Sequence, residues 1–156
     1  MITLALALFR STVYSTASPM TFNQNVGVGL VIFHYVKREL ETLFVHRFGN
    51  DTMPWSNLFK NCFAYWVVFG VCCMYFFLSP SYSTPAWQSK TVTLMLGALF
   101  MVFEALNFKT HLILRDLRRP GTTERNIPHG CGFGLVSCAN YFWETLAWLC
   151  FAIMAD

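Results

Sequence analysis

Polar side chains recur at helical spacing within an otherwise apolar part of the sequence. Glu104, Asn107, His111, Arg115 and Arg118 follow one another at intervals of three, four, four and three residues. At about 100° per residue they fall within an arc of roughly 80° on one continuous helix. Polar groups are costly inside a membrane, so this stripe indicates a lined polar cavity. Charges at a helix end, with arginines reaching the membrane surface, are the simpler interpretation, but they leave Glu104 and Asn107 unexplained.

A second polar set lies near the end of the sequence. Asn140, Tyr141 and Glu144 fit within an arc of about 100° on one helix and combine an amide, a phenol and a carboxylate. A buried glutamate can also simply accept hydrogen bonds from a neighbouring helix. Two such polar helices in one small bundle favour a shared polar pocket, because each can satisfy the other only there.

Two further stretches have ordinary structural explanations. From spacing alone, the charged residues 37–41 are a solvated helix face joined by close ion pairs. The tract Gly130-Cys-Gly-Phe-Gly134 has the composition of a phosphate-binding loop, but no βαβ unit surrounds it. We interpret it as a flexible lead-in to the following helix.

The composition excludes several classes of protein. Of the 156 residues, 55% are hydrophobic and 12% are charged, whereas a soluble domain has roughly 25% charged residues. The net charge of +3 arises between residues 109 and 125, so the broad basic face of a nucleic-acid-binding protein is absent. A localised anion site or a cytoplasmic membrane loop explains the charge instead.

Cysteine and histidine spacing predicts no structural metal. The six cysteines lie mostly in apolar runs without C-x-x-C spacing, which favours packing residues over a disulfide or zinc framework. The four histidines are scattered, and no cysteine or carboxylate completes a cluster along the sequence.

Long uncharged stretches predict an all-α fold, a polytopic transmembrane helix bundle of about four to five spans within a single membrane domain, residues 1–156. A span needs about 20 apolar residues. The predicted spans are 61–78, 91–106 and 133–155, together with a helix that leaves the membrane after 26–36 and half a span at 1–9. Basic loops stay cytosolic, so we expect loops 37–60 and 109–125 on the cytosolic side, where the glycosylation sequon at Asn50 would not be used.

Five stretches of the sequence resemble one family of enzymes. They are His34-Tyr-Val-Lys-Arg-Glu-Leu-Glu-Thr-Leu-Phe-Val-His-Arg-Phe48, Thr52-Met-Pro54, Phe59-Lys-Asn-Cys62, Leu114-Arg-Asp-Leu-Arg118 and Val136-Ser-Cys-Ala-Asn-Tyr-Phe-Trp-Glu144. From about residue 30 onward the chain resembles the very-long-chain trans-2-enoyl-CoA reductases, which belong to the steroid 5-alpha-reductase family of endoplasmic reticulum membrane enzymes. His111 favours the enoyl branch, since the steroid reductases carry an aspartate there.

The resemblance implies an NADPH-dependent reductase for the last step of very-long-chain fatty-acid elongation. Tyr141 and Lys37 match positions implicated in catalysis. The residues expected to bind the cofactor are Asn107, Arg118, Asn140 and Glu144, which match the family, with His111 and Arg115 of the same polar stripe. The implied partners are an enoyl-CoA substrate, membrane lipid and other subunits of an elongase complex, in the endoplasmic reticulum membrane.

The expected chemistry suits these residue types. Hydride addition to an enoyl thioester places charge on the thioester oxygen, and the α-carbon then needs a proton. Tyr141 can supply a hydrogen bond or that proton, a cation such as Lys37 would favour the tyrosinate, and arginines bind phosphate bidentately.

Alternatives remain at this point. They are a steroid or polyprenol reductase of the same family, and a non-catalytic membrane subunit. The second is raised because the resemblance implies that the family's ubiquitin-like amino-terminal region, terminal helix and tail are missing here.

Overall fold

A computed structural model describes residues 2–16, 18–47, 54–117 and 126–156, and these residues are helical with turns and no strand. The fold class is therefore all-α, as predicted. The helices of the described ranges are α1 (Ile2–Leu8), α2 (Arg10–Val13), α3 (Phe22–Phe44), α4 (Trp55–Phe77), α5 (Lys90–Asp116) and α6 (Ala139–Ala155).

Helices α3 and α5 run parallel and in register. Their contacts join residues that are 70 positions apart, namely Asn23 with Thr93, His34 with Glu104 and Lys37 with Asn107. The carboxyl ends of both helices consequently lie at the same end of the bundle. The basic stretches 37–60 and 109–125 begin in the last turns of these two helices, so both start at the same end of the bundle. Their location on the cytosolic side of a membrane stays a prediction.

Helix α6 runs antiparallel to α5. The backbone oxygen of Met154, near the end of α6, accepts hydrogen bonds from Asn23 and Gln88 at the opposite end of the bundle. At the start of α6, the backbone oxygen of Asn140 accepts from the Asn107 amide. The polar stripe of α5 therefore faces the first turn of α6.

Side-chain caps fix where the two long helices begin. Thr21 and Gln24 form a reciprocal capping box at the start of α3, which satisfies amides that have no partner inside the helix. Ser89 accepts a hydrogen bond from the Val92 amide at the start of α5. The segment between α4 and α5 contains Pro80 and Pro85, and proline disfavours the continuation of a helix.

Two helices, α4 and α5, are long and apolar enough to cross a membrane. Most side chains of α4 are exposed, and its middle section, Phe63–Met74, has wide π-type turns. Helix α6 has 17 residues and α1 has 7. The larger number of four to five spans stays a prediction.

The core is built from aromatic rings and small residues where α3, α4, α5 and α6 meet. Trp148 on α6 makes ring contacts with Phe69, Phe100 and Phe151. Fully buried apolar side chains surround these rings; they are Val31, Met74, Leu78, Phe100, Ala147 and Met154.

The last helix begins later than the sequence predicted. The apolar run suggested a start near residue 133, but residues 130–138 form turns and α6 starts at Ala139. Gly130, Cys131 and Gly132 have positive φ angles, which a helix excludes, and the amides of Phe133, Leu135 and Val136 donate back to Gly130 and Gly132 in turns. The Trp143 indole donates a hydrogen bond to the Cys131 carbonyl at 2.9 Å, so the helix itself holds these turns in place.

Candidate functional site

A buried network of charged and polar side chains lies between α3 and α5; we call it the inner cluster. Its members are His34, Lys37, Glu104 and Asn107. Lys37 Nζ lies 2.7 Å from Glu104 Oε2 and donates to Asn107 Oδ1 at 2.6 Å. His34 Nδ1 lies 2.9 Å from the other carboxylate oxygen of Glu104. A buried charge requires such partners, and here each charge has one.

The inner cluster extends to α6. The Asn107 amide donates to the Asn140 backbone oxygen at 2.8 Å, and His34 Nε2 lies 3.7 Å from Glu144 Oε1. The sequence predicted that α5 and α6 would satisfy each other around a shared pocket. The structure brings them together, but α3 supplies the lysine and the histidine between them.

A second group of charges, the outer cluster, lies one turn closer to the carboxyl ends of α3 and α5. Glu41 Oε2 lies 3.0 Å from His111 Nδ1 and 3.2 Å from Arg38 Nη1. Burial by itself raises the pKa of Glu41, but the hydrogen bond from His111 and the charges of His111, Lys37 and Arg38 outweigh it and lower the pKa to about 2.

The interpretation of residues 37–41 as a solvated helix face is wrong for Lys37 and Glu41. The Lys37 side chain is 12% exposed and that of Glu41 is 1% exposed. The close ion pairs expected from the spacing are present, between Lys37 and Glu41 and between Arg38 and Glu41. The further partners Glu104 and His111 lie on α5, about 70 residues away, so local spacing could not identify them. One signal was available: His34, Lys37 and Glu41 have the same intervals of three and four residues as Glu104, Asn107 and His111.

The histidines are less scattered in space than in sequence. Glu41, His46 and His111 bring potential metal-ligating atoms within 4.8 Å of one another, which contradicts the premise that no carboxylate completes a histidine cluster. The Arg38 guanidinium already lies within 3.2 Å of both Glu41 and His111. A cation of the chain therefore occupies this group, and we assign it no metal.

Tyr141 lies apart from Lys37. Its side chain is 64% exposed on the outer surface of α6, and within the described part of the chain no hydrogen bond joins it to Lys37. Burial between the helices thus supports Lys37 as a site residue, whereas Tyr141 is available to a molecule outside the bundle.

The structure describes only one of the two arginines of the polar stripe. Arg115 pairs with its neighbour Asp116 at 2.8 Å, and within the described ranges no hydrogen bond or ion pair joins it to the inner cluster. Arg118 lies outside the described residues. The roles predicted for both remain predictions.

Two cavities flank α3. An apolar groove of about 800 Å³ lies between α3 and α5, with Gly29, Lys37 and Glu104 among its lining residues. A smaller pocket of about 230 Å³ lies on the other side and contains His34, Arg38 and Glu144. The inner cluster therefore separates an apolar space from a polar one.

The fold and the site define a helical bundle that buries polar groups between α3 and α5, and α5 is one of the two helices in the described ranges that are long and apolar enough to cross a membrane. The chain belongs to the 3-oxo-5-alpha-steroid 4-dehydrogenase family, whose profile matches residues 51–156. This family membership agrees with the resemblance found in the sequence.

Named relatives cover most of the chain. It is 45% identical over 146 residues to a very-long-chain enoyl-CoA reductase of Dictyostelium discoideum, which covers 92% of the chain and 47% of the relative. It is 34% identical over 131 residues to a trans-2,3-enoyl-CoA reductase-like protein of Mus musculus, with 79% and 35% covered. The chain thus spans about half the length of the Dictyostelium relative and about a third of the length of the mouse relative.

Proposed function

We propose that the protein is an NADPH-dependent trans-2-enoyl-CoA reductase that forms saturated acyl-CoA in the last step of very-long-chain fatty-acid elongation. The observation that carries the proposal is the convergence of Lys37, Asn107, Asn140 and Glu144. These residues were singled out on separate segments of the sequence. Lys37 contacts Asn107, Asn107 contacts the Asn140 backbone oxygen, and Glu144 is connected to Lys37 through His34 and Glu104.

The small polar pocket fits one end of a nicotinamide dinucleotide. Its lining offers the Glu144 carboxylate as an acceptor and the Arg38 guanidinium as a donor, the groups that an amide and a phosphate require. Its volume of about 230 Å³ is below the roughly 300–1,000 Å³ of sites that enclose a complete ligand. We therefore assign it the nicotinamide end alone.

Glu144 would hold that end of the cofactor from the wall of the pocket, with Asn107 and Asn140 contributing from the adjoining inner cluster. His111, Arg115 and Arg118 would hold its phosphates and ribose. When bound, NADPH would supply the hydride for the double bond. The apolar groove beside Lys37 would accommodate part of the acyl chain.

The catalytic groups in this proposal are Lys37 and Tyr141. The Lys37 ammonium would stabilise negative charge on the thioester oxygen, an effect that is larger in a site protected from water. Tyr141 would give its hydroxyl proton to the α-carbon. Its exposure on α6 means that the substrate has to approach it from outside the bundle.

The proposed location is the endoplasmic reticulum membrane, with loops 37–60 and 109–125 on the cytosolic side. The common orientation of the carboxyl ends of α3 and α5 supports one side for both loops. Soluble NADPH and CoA would then reach the polar end of the bundle, where the substrate and other elongase subunits would bind.

The first prediction concerns the two catalytic side chains. In membranes that contain the full-length protein, Lys37→Met should lower kcat for trans-2-octadecenoyl-CoA by about 100-fold or more, because a preorganised charge is lost. Tyr141→Phe should lower it by about 100-fold, as expected for the loss of a general acid. Formation of the saturated acyl-CoA is the measured quantity.

Exposed residues of the same types provide matched controls. Lys60→Met and Tyr75→Phe should change kcat by less than about threefold, since these side chains lie outside the site. If Lys37→Met retained full turnover at a normal protein level, Lys37 would have no catalytic role. Turnover of a 4-ene-3-oxosteroid but not of the enoyl-CoA would favour the steroid branch, and turnover of neither would favour a non-catalytic subunit.

A further inference from the structure

We propose that Glu104 is the positioning residue for Lys37, and that its carboxylate, oriented by His34, fixes where the lysine ammonium meets the substrate. The inference rests on the proposed function, in which Lys37 is the catalytic cation. No motif of the sequence assigned a separate role to either Glu104 or His34.

Glu104 uses its two carboxylate oxygens for two different residues of α3. Oε1 lies 2.9 Å from His34 Nδ1, and Oε2 lies 2.7 Å from Lys37 Nζ. The glutamate side chain is 1% exposed, so water does not compete for these contacts. Because His34 occupies one oxygen, the carboxylate plane cannot rotate freely, and the direction of the other oxygen toward Lys37 is set.

Lys37 has an alternative partner in the outer cluster. Its Nζ lies 3.4 Å from Glu41 Oε1. Glu41 Oε1 and Glu104 Oε2 are both buried and face the ammonium as ion pairs without a further hydrogen bond, and Glu104 is the nearer of the two at 2.7 Å. Without the Glu104 carboxylate, the nearest negative charge for the ammonium would be Glu41, which lies about two helical turns from His34 on α3. A misplacement of about 1 Å in a catalytic group can lower the rate by about 100-fold.

The contact between α3 and α5 has other sources of stability. At the opposite end of the same two helices, the buried Thr93 hydroxyl donates to the Asn23 side chain. This pair has the same register as His34 and Glu104 and lies 11 residues earlier on each helix, about 16 Å away. It provides a control for the loss of an interhelical hydrogen bond alone.

The test measures kcat and KM for enoyl-CoA reduction in variants of the full-length protein. Glu104→Leu should lower kcat by about 100-fold and change KM by less than about threefold, because positioning acts on the transition state. Glu104→Gln keeps one oxygen as an acceptor and should lower kcat by only about fivefold to tenfold. Thr93→Val should leave kcat unchanged.

The decisive comparison repeats the Glu104 substitutions in the Lys37→Met background. A residue that acts through Lys37 has no further effect once Lys37 is gone, so the substitutions should not slow the residual turnover. Equal slowing in both backgrounds would overturn the proposal and indicate a purely structural role, as would full activity of Glu104→Leu. If Glu104→Leu fails to fold in detergent, Glu104→Gln, which keeps the side-chain shape, decides by the same comparison. A wild-type protein without enoyl-CoA turnover would instead refute the proposed function.

Discussion

Lys37 shows how the surroundings of one side chain determine its role. Its ammonium lies among Glu41, Glu104 and Asn107, and its side chain is largely buried. The ammonium of a solvated lysine interacts mainly with water, whereas the Lys37 ammonium interacts with protein atoms in fixed positions. Such preorganised charges are the groups that stabilise transition states most effectively.

The Glu41 carboxylate makes the stability of the outer cluster depend on pH. Its pKa is lowered to about 2, so the folded state favours the ionised carboxyl. A lowered pKa contributes stability above the ordinary pKa, and that stability is lost as the pH falls toward the folded value. We expect the unfolding temperature in detergent to fall between about pH 4.5 and pH 2, with a smaller fall in Glu41→Gln.

Glu39 provides the control for this measurement. It is exposed on the same helix, and Glu39→Gln should retain the acid dependence of the wild-type protein. An identical fall in Glu41→Gln and in the wild-type protein would mean that other groups cause it.

At the scale of the helices, α3 approaches its neighbours closely at Gly27. A Cβ atom added there would lie 2.7 Å from Phe77 Cε1 and Cζ and 3.3 Å from Phe151 Cε2. Phe77 is itself buried against Phe151 and Tyr82, so its ring cannot move away easily. Gly27→Ala should therefore destabilise the bundle by about 1–3 kcal/mol.

Gly29, two residues further along the same helix, is the matched control. A Cβ there would meet nothing within 4 Å, so Gly29→Ala should be neutral or stabilise by up to about 1 kcal/mol through helix propensity. Chemical unfolding in detergent, followed by tryptophan fluorescence, measures both. Equal stability of the two variants would show that Phe77 can rearrange.

A helix could be predicted from the sequence where all the evidence for it lies within one continuous segment. Helix α5 follows from its uncharged run and from the spacing of Glu104, Asn107 and His111, all of which are buried as the stripe predicted. The start of α6 could not be predicted, because the apolar run 133–138 is compatible with a helix, whereas in the fold residues 133–136 are held in turns by hydrogen bonds to Gly130 and Gly132.

The site could be predicted only in part, for a similar reason. Asn107, Asn140 and Glu144 were expected around one pocket, and the structure brings Asn107 to the Asn140 backbone and Glu144 to His34, while their roles stay predictions. The contacts of His34 and Glu41 depend on partners on α5. His46 and His111 are 65 residues apart in the sequence, and their rings lie 4.9 Å apart in the fold. Predicting contacts of this kind requires the register between two helices, and residue spacing within one helix does not give that register.

At the scale of the whole molecule, the two polar clusters lie at one end of the bundle, and the exposed apolar surface lies along its helices. Both clusters lie toward the carboxyl ends of α3 and α5, and the exposed apolar side chains cover much of α4 and α5. This arrangement suits a proposed substrate that has a polar CoA head and a long apolar chain. The excess positive charge of residues 109–125 begins in the last turns of α5 and continues beyond the helix in the sequence.

The most direct test of the central claim follows the two hydrogens that enter the product. The full-length protein in membranes is given trans-2-octadecenoyl-CoA and NADPH that carries deuterium at the transferable position, and the acyl product is analysed by mass spectrometry. We expect a saturated acyl-CoA with one deuterium at carbon 3, and a second deuterium at carbon 2 when the reaction is run in deuterated water. Absence of saturated product, or label only in a steroid supplied in parallel, would contradict the assignment as an enoyl-CoA reductase.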